Sequence, residues 1–134
     1  QSNPGASVHA LLESHVVGPA RLVNDHHYSF ELTGVLPHDS IALLRYEHGQ
    51  GGHFALHRDL GPAFSTRKLS LSVQLSDPTD YLGGDLIFPY ADAKAPRGIG
   101  TLAVFPSYLP HAVSPVTGGC RYALVGWIHG PAFR

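Results

Sequence analysis

His57-Arg58-Asp59 sets a histidine and an aspartate two positions apart, and on a β-strand residues i and i+2 point to the same face. Both side chains could therefore reach one ion. With one more histidine, two imidazole nitrogens and a carboxylate oxygen make a facial set that suits non-haem iron(II) and leaves coordination positions open. His111 is the candidate third ligand, 52 positions after Asp59 in Pro110-His111-Ala112-Val113. The pair by itself is weak, because ten histidines and seven aspartates in 134 positions give roughly half an H-x-D by chance. On that ground an ordinary hydrogen-bonded histidine stays open for His57. Arg121 adds to the pattern, ten positions after His111 and just before the apolar run Tyr122–Ile128 (YALVGWI). A guanidinium buried near a metal needs an anion, and its planar fork suits a carboxylate. A surface arginine at a strand start is the alternative. His26-His27, His48 and His53 invite a zinc reading. The single Cys120 excludes thiolate-rich structural sites, however, and no second spacing looks like a zinc module.

Strands must hold these residues, and the sequence is rich in strand signals from Ile41 onward. Leu69, Leu71, Val73 and Leu75 alternate with Ser70, Ser72, Gln74 and Ser76, a period of two. The expected strand has one apolar and one polar face, with the apolar stripe in the core between sheets. Further strands are expected at Ile41–Tyr46, His53–Asp59, Asp85–Pro89, Thr101–Phe105, Ala112-Val113 and Tyr122–Ile128. Gly49-Gln50-Gly51-Gly52 reads as a turn, Asp77–Gly84 as turn-rich and Ala91–Gly100 as a loop. Six or seven short strands with Gly/Pro turns indicate an all-β sandwich, jelly roll or barrel. Residues 1–38 are harder to read: a short helix over Val8–Val17 with Ser7 as N-cap, then strand-like content over Tyr28–Leu36. The expected organisation is an N-terminal arm, 1–38, packing on a core, 39–134.

Composition bounds the rest. One domain fits this length, and 43% apolar residues exclude a disordered tail. A net charge of -1 carries no footprint for nucleic acid or an anionic membrane. No apolar run approaches the ~18 residues needed to span a bilayer. The lone cysteine favours a reducing, cytoplasmic compartment. The chain starts at Gln1 and has no methionine, so a processed or trimmed N-terminus is expected.

Several ordered segments also match a known family. They are Tyr46-x-x-Gly49-Gln50, Phe54-x-x-His57-x-Asp59, Arg67, Leu75-Ser76-Asp77 and Tyr81-Leu82-Gly83-Gly84-Asp85-Leu86-Ile87-Phe88-Pro89. Gly100, Phe105-Pro106, His111-x-Val113-x-Pro115-Val116, Arg121 and Trp127 complete them. From Tyr46 to Trp127 the chain resembles the prolyl-hydroxylase-like branch of the iron(II)/2-oxoglutarate oxygenases, especially the bacterial PKHD-type hydroxylases.

The resemblance implies a double-stranded β-helix (a jelly-roll, cupin-like core) with His57, Asp59 and His111 on the iron. It implies Arg121 on the distal carboxylate of 2-oxoglutarate. Tyr46 matches a tyrosine that reaches the co-substrate in relatives, with a core tyrosine as the alternative. Trp127 reads as packing. Fe(II), 2-oxoglutarate and dioxygen are the implied cofactor and co-substrates, with ascorbate compatible as a reductant. Asp59 speaks against a halogenating relative, in which a non-ligating residue makes room for halide. Two departures stand out: Gln74 replaces a tyrosine beside the co-substrate, and Leu86 a threonine. The segment before Tyr46 is short for the family, so either helices are missing or this is a minimal variant. The implied reaction hydroxylates a prolyl residue of a protein or a small amino-acid-like substrate. Two other readings are a non-enzymatic jelly-roll binding module and a cupin-like metal enzyme without 2-oxoglutarate; Arg121 discriminates against both.

Overall fold

The computed structural model describes residues 13–36, 39, 41–49 and 53–133. Among these, nine strands form two antiparallel sheets. The strands are β1 (Ile41–Glu47), β2 (Phe54–His57), β3 (Arg67–Gln74), β4 (Tyr81–Gly83), β5 (Leu86–Phe88), β6 (Ala93–Lys94), β7 (Leu102–Pro106), β8 (His111–Val113) and β9 (Val116–His129). The major sheet runs β1-β9-β3-β7, with β4 pairing the start of β9; the minor sheet runs β2-β8-β5-β6. This is the double-stranded β-helix that the resemblance implied.

The alternation in β3 separates two environments. Tyr46, Tyr81, Leu86, Phe105, Val113 and Ala123 fill the space between the sheets. Leu69 and Leu71 point the other way, out of the barrel, and pack with Ile128 against Val16, Val17 and Ala20 of an N-terminal helical segment. This corrects the expectation that the apolar stripe lies between the sheets. The polar stripe faces inward instead, and Ser70, Ser72, Gln74 and Ser76 are all buried. Leu75, the last member of the apolar stripe, is exposed.

That helical segment is the main departure from the sequence reading. Helix α1 (Gly18–Val23) is continuous with a wider turn before it (Glu13–Val17) and another after it (Asn24–Tyr28). Gly18-Pro19 looks like a break, yet Pro19 sits in the first turn of α1, where its missing N–H costs no hydrogen bond. The expected helix over Val8–Val17 is seen only from Glu13; Ser7 and residues 8–12 lie outside the described residues, as do 50–52 of the expected turn. Tyr28–Leu36 makes no strand, only the isolated bridge of Gly34 to His129. Buried Asn24 holds this stretch, donating to the Phe30 carbonyl and accepting from the Phe30 N–H, both at 2.9 Å. No helix among the described residues is long and apolar enough to cross a membrane.

Candidate metal centre

The minor sheet brings the two histidines together. In the antiparallel pairing of β2 with β8, His57 lies directly across from His111. Their rings are tilted against each other with centroids 4.3 Å apart, and Phe105 packs edgewise on His111 at 4.7 Å. Asp59 follows the end of β2, and the Ser107 carbonyl accepts from its N–H at 3.0 Å. The ligand atoms of His57, Asp59 and His111 all lie within 4.8 Å of one another. Nε2 of His57 is 3.2 Å and Nε2 of His111 3.4 Å from Asp59 Oδ1.

Backbone carbonyls fix which ring nitrogen faces that centre. Nδ1 of His57 is 2.7 Å from the Ala55 oxygen, and Nδ1 of His111 is 2.9 Å from the Leu109 oxygen. A carbonyl only accepts, so each Nδ1 carries its proton and each Nε2 is left to bind a cation. Burial acts to raise the Asp59 pKa. Hydrogen bonds from His111, Ser70 and Trp127, with the charge of His111, outweigh it and hold the carboxyl at about 2. Burial likewise acts to lower the His111 pKa, and the Asp59 carboxylate and Leu109 carbonyl reverse this and raise it. A metal ion that displaces the Nε2 proton of His111 would meet two nitrogen lone pairs and one carboxylate oxygen at a point that already attracts positive charge. The donor set fits iron(II).

The major sheet supplies the opposite wall. Tyr46 and Arg121 are cross-strand partners on β1 and β9, both buried, with the guanidinium 5.1 Å from the tyrosine ring centroid. Burial raises the Tyr46 pKa, partly offset by Arg121, so the hydroxyl keeps its proton. Gln74 accepts from Arg121 Nε at 3.0 Å and donates to the Tyr81 hydroxyl. Arg121 Nη1 is buried and has no hydrogen-bond partner among the described residues. An unmet charged donor in the interior is costly, so it calls for an anion. A cavity of about 360 Å³ connects this guanidinium with all three candidate ligands. Gly84, at φ +64°, lets the Arg121 stem pass: a Cβ there would come within 2.8 Å of Val116 and 3.3 Å of Arg121 Cδ.

Three residues near the carboxylate escaped the sequence reading. Trp127, read as packing, donates from Nε1 to Asp59 Oδ2 at 3.1 Å. Ser70 donates to the same oxygen. Arg67 donates to the Asp59 carbonyl at 3.3 Å and lies 3.7 Å from the centroids of both Phe64 and Trp127. A signal was present: Arg121, Ala123, Val125 and Trp127 alternate onto one strand face, which carries the tryptophan into the cavity with the arginine. The remaining histidines join no metal-sized cluster among the described residues.

A family model for the 2OG-Fe(II) oxygenase superfamily matches residues 41–129. The chain is 38% identical over 97 residues to a PKHD-type hydroxylase of Parvibaculum lavamentivorans, covering 69% of this chain and 43% of that protein. It is 32% identical over 105 residues to one of Pseudomonas putida, covering 72% and 46% respectively. The chain therefore spans less than half the length of these curated relatives. Among solved structures it is similar to a Pseudomonas putida prolyl-4-hydroxylase, with a TM-score of 0.66, 24% identity and coverage of 86% of this chain and 63% of that one. Matching sequence segments, the same β-helix and a convergent two-histidine, one-carboxylate set agree: the chain belongs to the 2OG-Fe(II) oxygenase superfamily and is similar to its PKHD-type hydroxylases.

Proposed function

We propose that this chain is the catalytic core of an iron(II)- and 2-oxoglutarate-dependent dioxygenase that hydroxylates an unactivated C–H bond. One atom of dioxygen enters the new hydroxyl and the other enters succinate, as 2-oxoglutarate loses CO2. The observation that carries the reading is one cavity holding both the triad and a buried guanidinium with an unpartnered Nη1. Iron, when bound, supplies the dioxygen chemistry. His57, Asp59 and His111 hold it. Arg121 receives the distal carboxylate of 2-oxoglutarate, and Gln74 fixes the guanidinium from behind by occupying Nε. Tyr46, protonated and against the same guanidinium, offers a further donor to the co-substrate. Aromatic and aliphatic walls (Phe54, Phe105, Leu44, Val125) exclude water from the reacting carbon.

In this reading residues 39–134 carry the chemistry, and the described part of the N-terminal arm, residues 13–36, packs on them. The substrate class is a prolyl residue in a protein or a small amino-acid-like molecule, by analogy with the relatives. A reducing, cytoplasmic setting is supported by the lone Cys120. The test is succinate release from 2-oxoglutarate with iron(II), ascorbate as reductant, and panels of prolyl peptides and free amino acids. Succinate formation stimulated by one panel member is the expected result. A protein that neither forms succinate nor binds 2-oxoglutarate when iron-loaded would overturn the reading.

A further inference from the structure

The two oxygens of Asp59 have different surroundings. Oδ1 faces Nε2 of both histidines. Oδ2 is turned away and accepts two hydrogen bonds, from Ser70 Oγ and from the Trp127 indole N–H. Ser70 is fully buried and its hydroxyl also meets Ser107 Oγ at 3.1 Å. The Trp127 indole is held by the Arg67 guanidinium stacked on its ring, and Asp39 grips that guanidinium at 2.6 and 2.8 Å. The Asp59 backbone is fixed on both sides, its N–H by Ser107 and its carbonyl by Arg67. The carboxylate cannot turn Oδ2 toward the histidines without losing both donors.

We propose that Ser70 and Trp127 are positioning residues that keep Asp59 a one-oxygen ligand. With Oδ2 saturated by two donors, only Oδ1 reaches the metal. The coordination position that a two-oxygen carboxylate would take stays open for the co-substrate and dioxygen. The inference rests on the metal-centre reading above and deepens it.

Cobalt(II) is a suitable probe, because its visible ligand-field bands change position and intensity with coordination number. Wild-type protein should bind one cobalt(II), with bands that shift when 2-oxoglutarate is added. Ser70→Ala and Trp127→Phe should each weaken cobalt binding by about 10–100-fold, the usual effect of losing an outer-shell partner of a ligand. In the double variant the cobalt bands should move and their response to 2-oxoglutarate should shrink, as the freed Oδ2 occupies a position. Ser70→Thr, which keeps the hydroxyl, should retain the wild-type bands. Thermal melting of the metal-free variants separates positioning from folding, and if Trp127→Phe fails to fold, Ser70→Ala carries the test alone. A folded Ser70→Ala protein with wild-type cobalt bands and affinity would overturn the inference while the metal centre stands. A wild-type protein that takes up no cobalt(II) would sink the metal centre itself, and this inference with it.

Discussion

The role proposed for Arg121 rests on the surroundings of its Nε and Nη1. Nε is satisfied by Gln74, the stem passes close to Gly84, and Nη1 is left without a partner among the described residues. Losing one member of a buried charge pair costs about 3–5 kcal/mol, or roughly a hundredfold or more in affinity. Arg121→Gln should therefore raise the 2-oxoglutarate dissociation constant by that order with iron binding nearly intact. Arg121→Lys should fall between, keeping the charge but losing the planar fork. An anaerobic titration that follows the visible charge-transfer band reads both; a wild-type titration curve for Arg121→Gln would refute the anchor. The converse holds for the triad. Replacing His57, Asp59 or His111 by Ala should strongly weaken iron binding in calorimetry, whereas His26→Ala should not; unchanged affinity in all three triad variants would remove the centre. The triad residues were legible in the sequence because metal ligation admits few residue types and strand geometry restricts their spacing, and the proposed anchor Arg121 was legible on the same grounds. Ser70 and Trp127 were not. A single hydroxyl or indole N–H acts through one hydrogen bond, and its residue type is equally at home in packing.

Strand β3 was located correctly from its period of two, but its faces were assigned by a rule that fails inside a barrel. Polar side chains on an alternating strand usually face water. In β3 they meet the polar groups set in an otherwise largely apolar cavity, Ser70 on Asp59 and Gln74 on Arg121. The composition of that stripe carried a hint, since Ser, Ser, Gln and Ser bear no charge, unlike a solvated face. Helix α1 was less legible, because Gly18-Pro19 weakens the helical pattern and what stabilises the segment is tertiary packing of Val16, Val17 and Ala20 on the sheet. A substitution distinguishes the two sides of this layer. Leu71 is 2% exposed, so Leu71→Asp buries an unpaired carboxylate and deletes apolar packing, together costing several kcal/mol. That is a large part of a stability of about 5–15 kcal/mol, and cooperative melting should disappear. Leu43, on β1, is 64% exposed, and Leu43→Asp should melt close to wild type. A soluble Leu71→Asp protein with native melting would contradict the packing of α1 on β3.

At the scale of the whole molecule, Asp39 ties the chain ahead of β1 to both β3 and β9. Its carboxylate receives Arg67 Nε at 2.8 Å and Nη2 at 2.6 Å, and His129 Nε2 lies 3.0 Å away. His129 Nδ1 meets the Thr66 hydroxyl at 2.8 Å, so one imidazole links two segments far apart in sequence. Through Arg67 the same carboxylate reaches the Trp127 ring and the Asp59 backbone, joining global stability to the metal centre. The Arg67 hydrogen bonds, as the largest influence, hold the Asp39 pKa below its ordinary value against burial, with the charges of Arg67 and His129 adding to the effect. A carboxyl with a lowered folded pKa stabilises the protein above its unfolded value of about 3.9. That contribution is lost as pH falls from there through the folded pKa, because the unfolded chain then binds the extra proton first. Asp39→Asn keeps the shape and removes the charge, so at neutral pH it should destabilise by about 1.5–3 kcal/mol, the range for hydrogen bonds to charged groups. As pH drops below about 4 the unfolded chain protonates first, and below the lowered folded pKa Asp39 itself is neutral and resembles asparagine, so the two melting curves should converge. Thermal unfolding of both proteins between neutral pH and the acid limit measures this gap. A gap that is constant over the whole range would mean that the Asp39 charge contributes nothing to the fold.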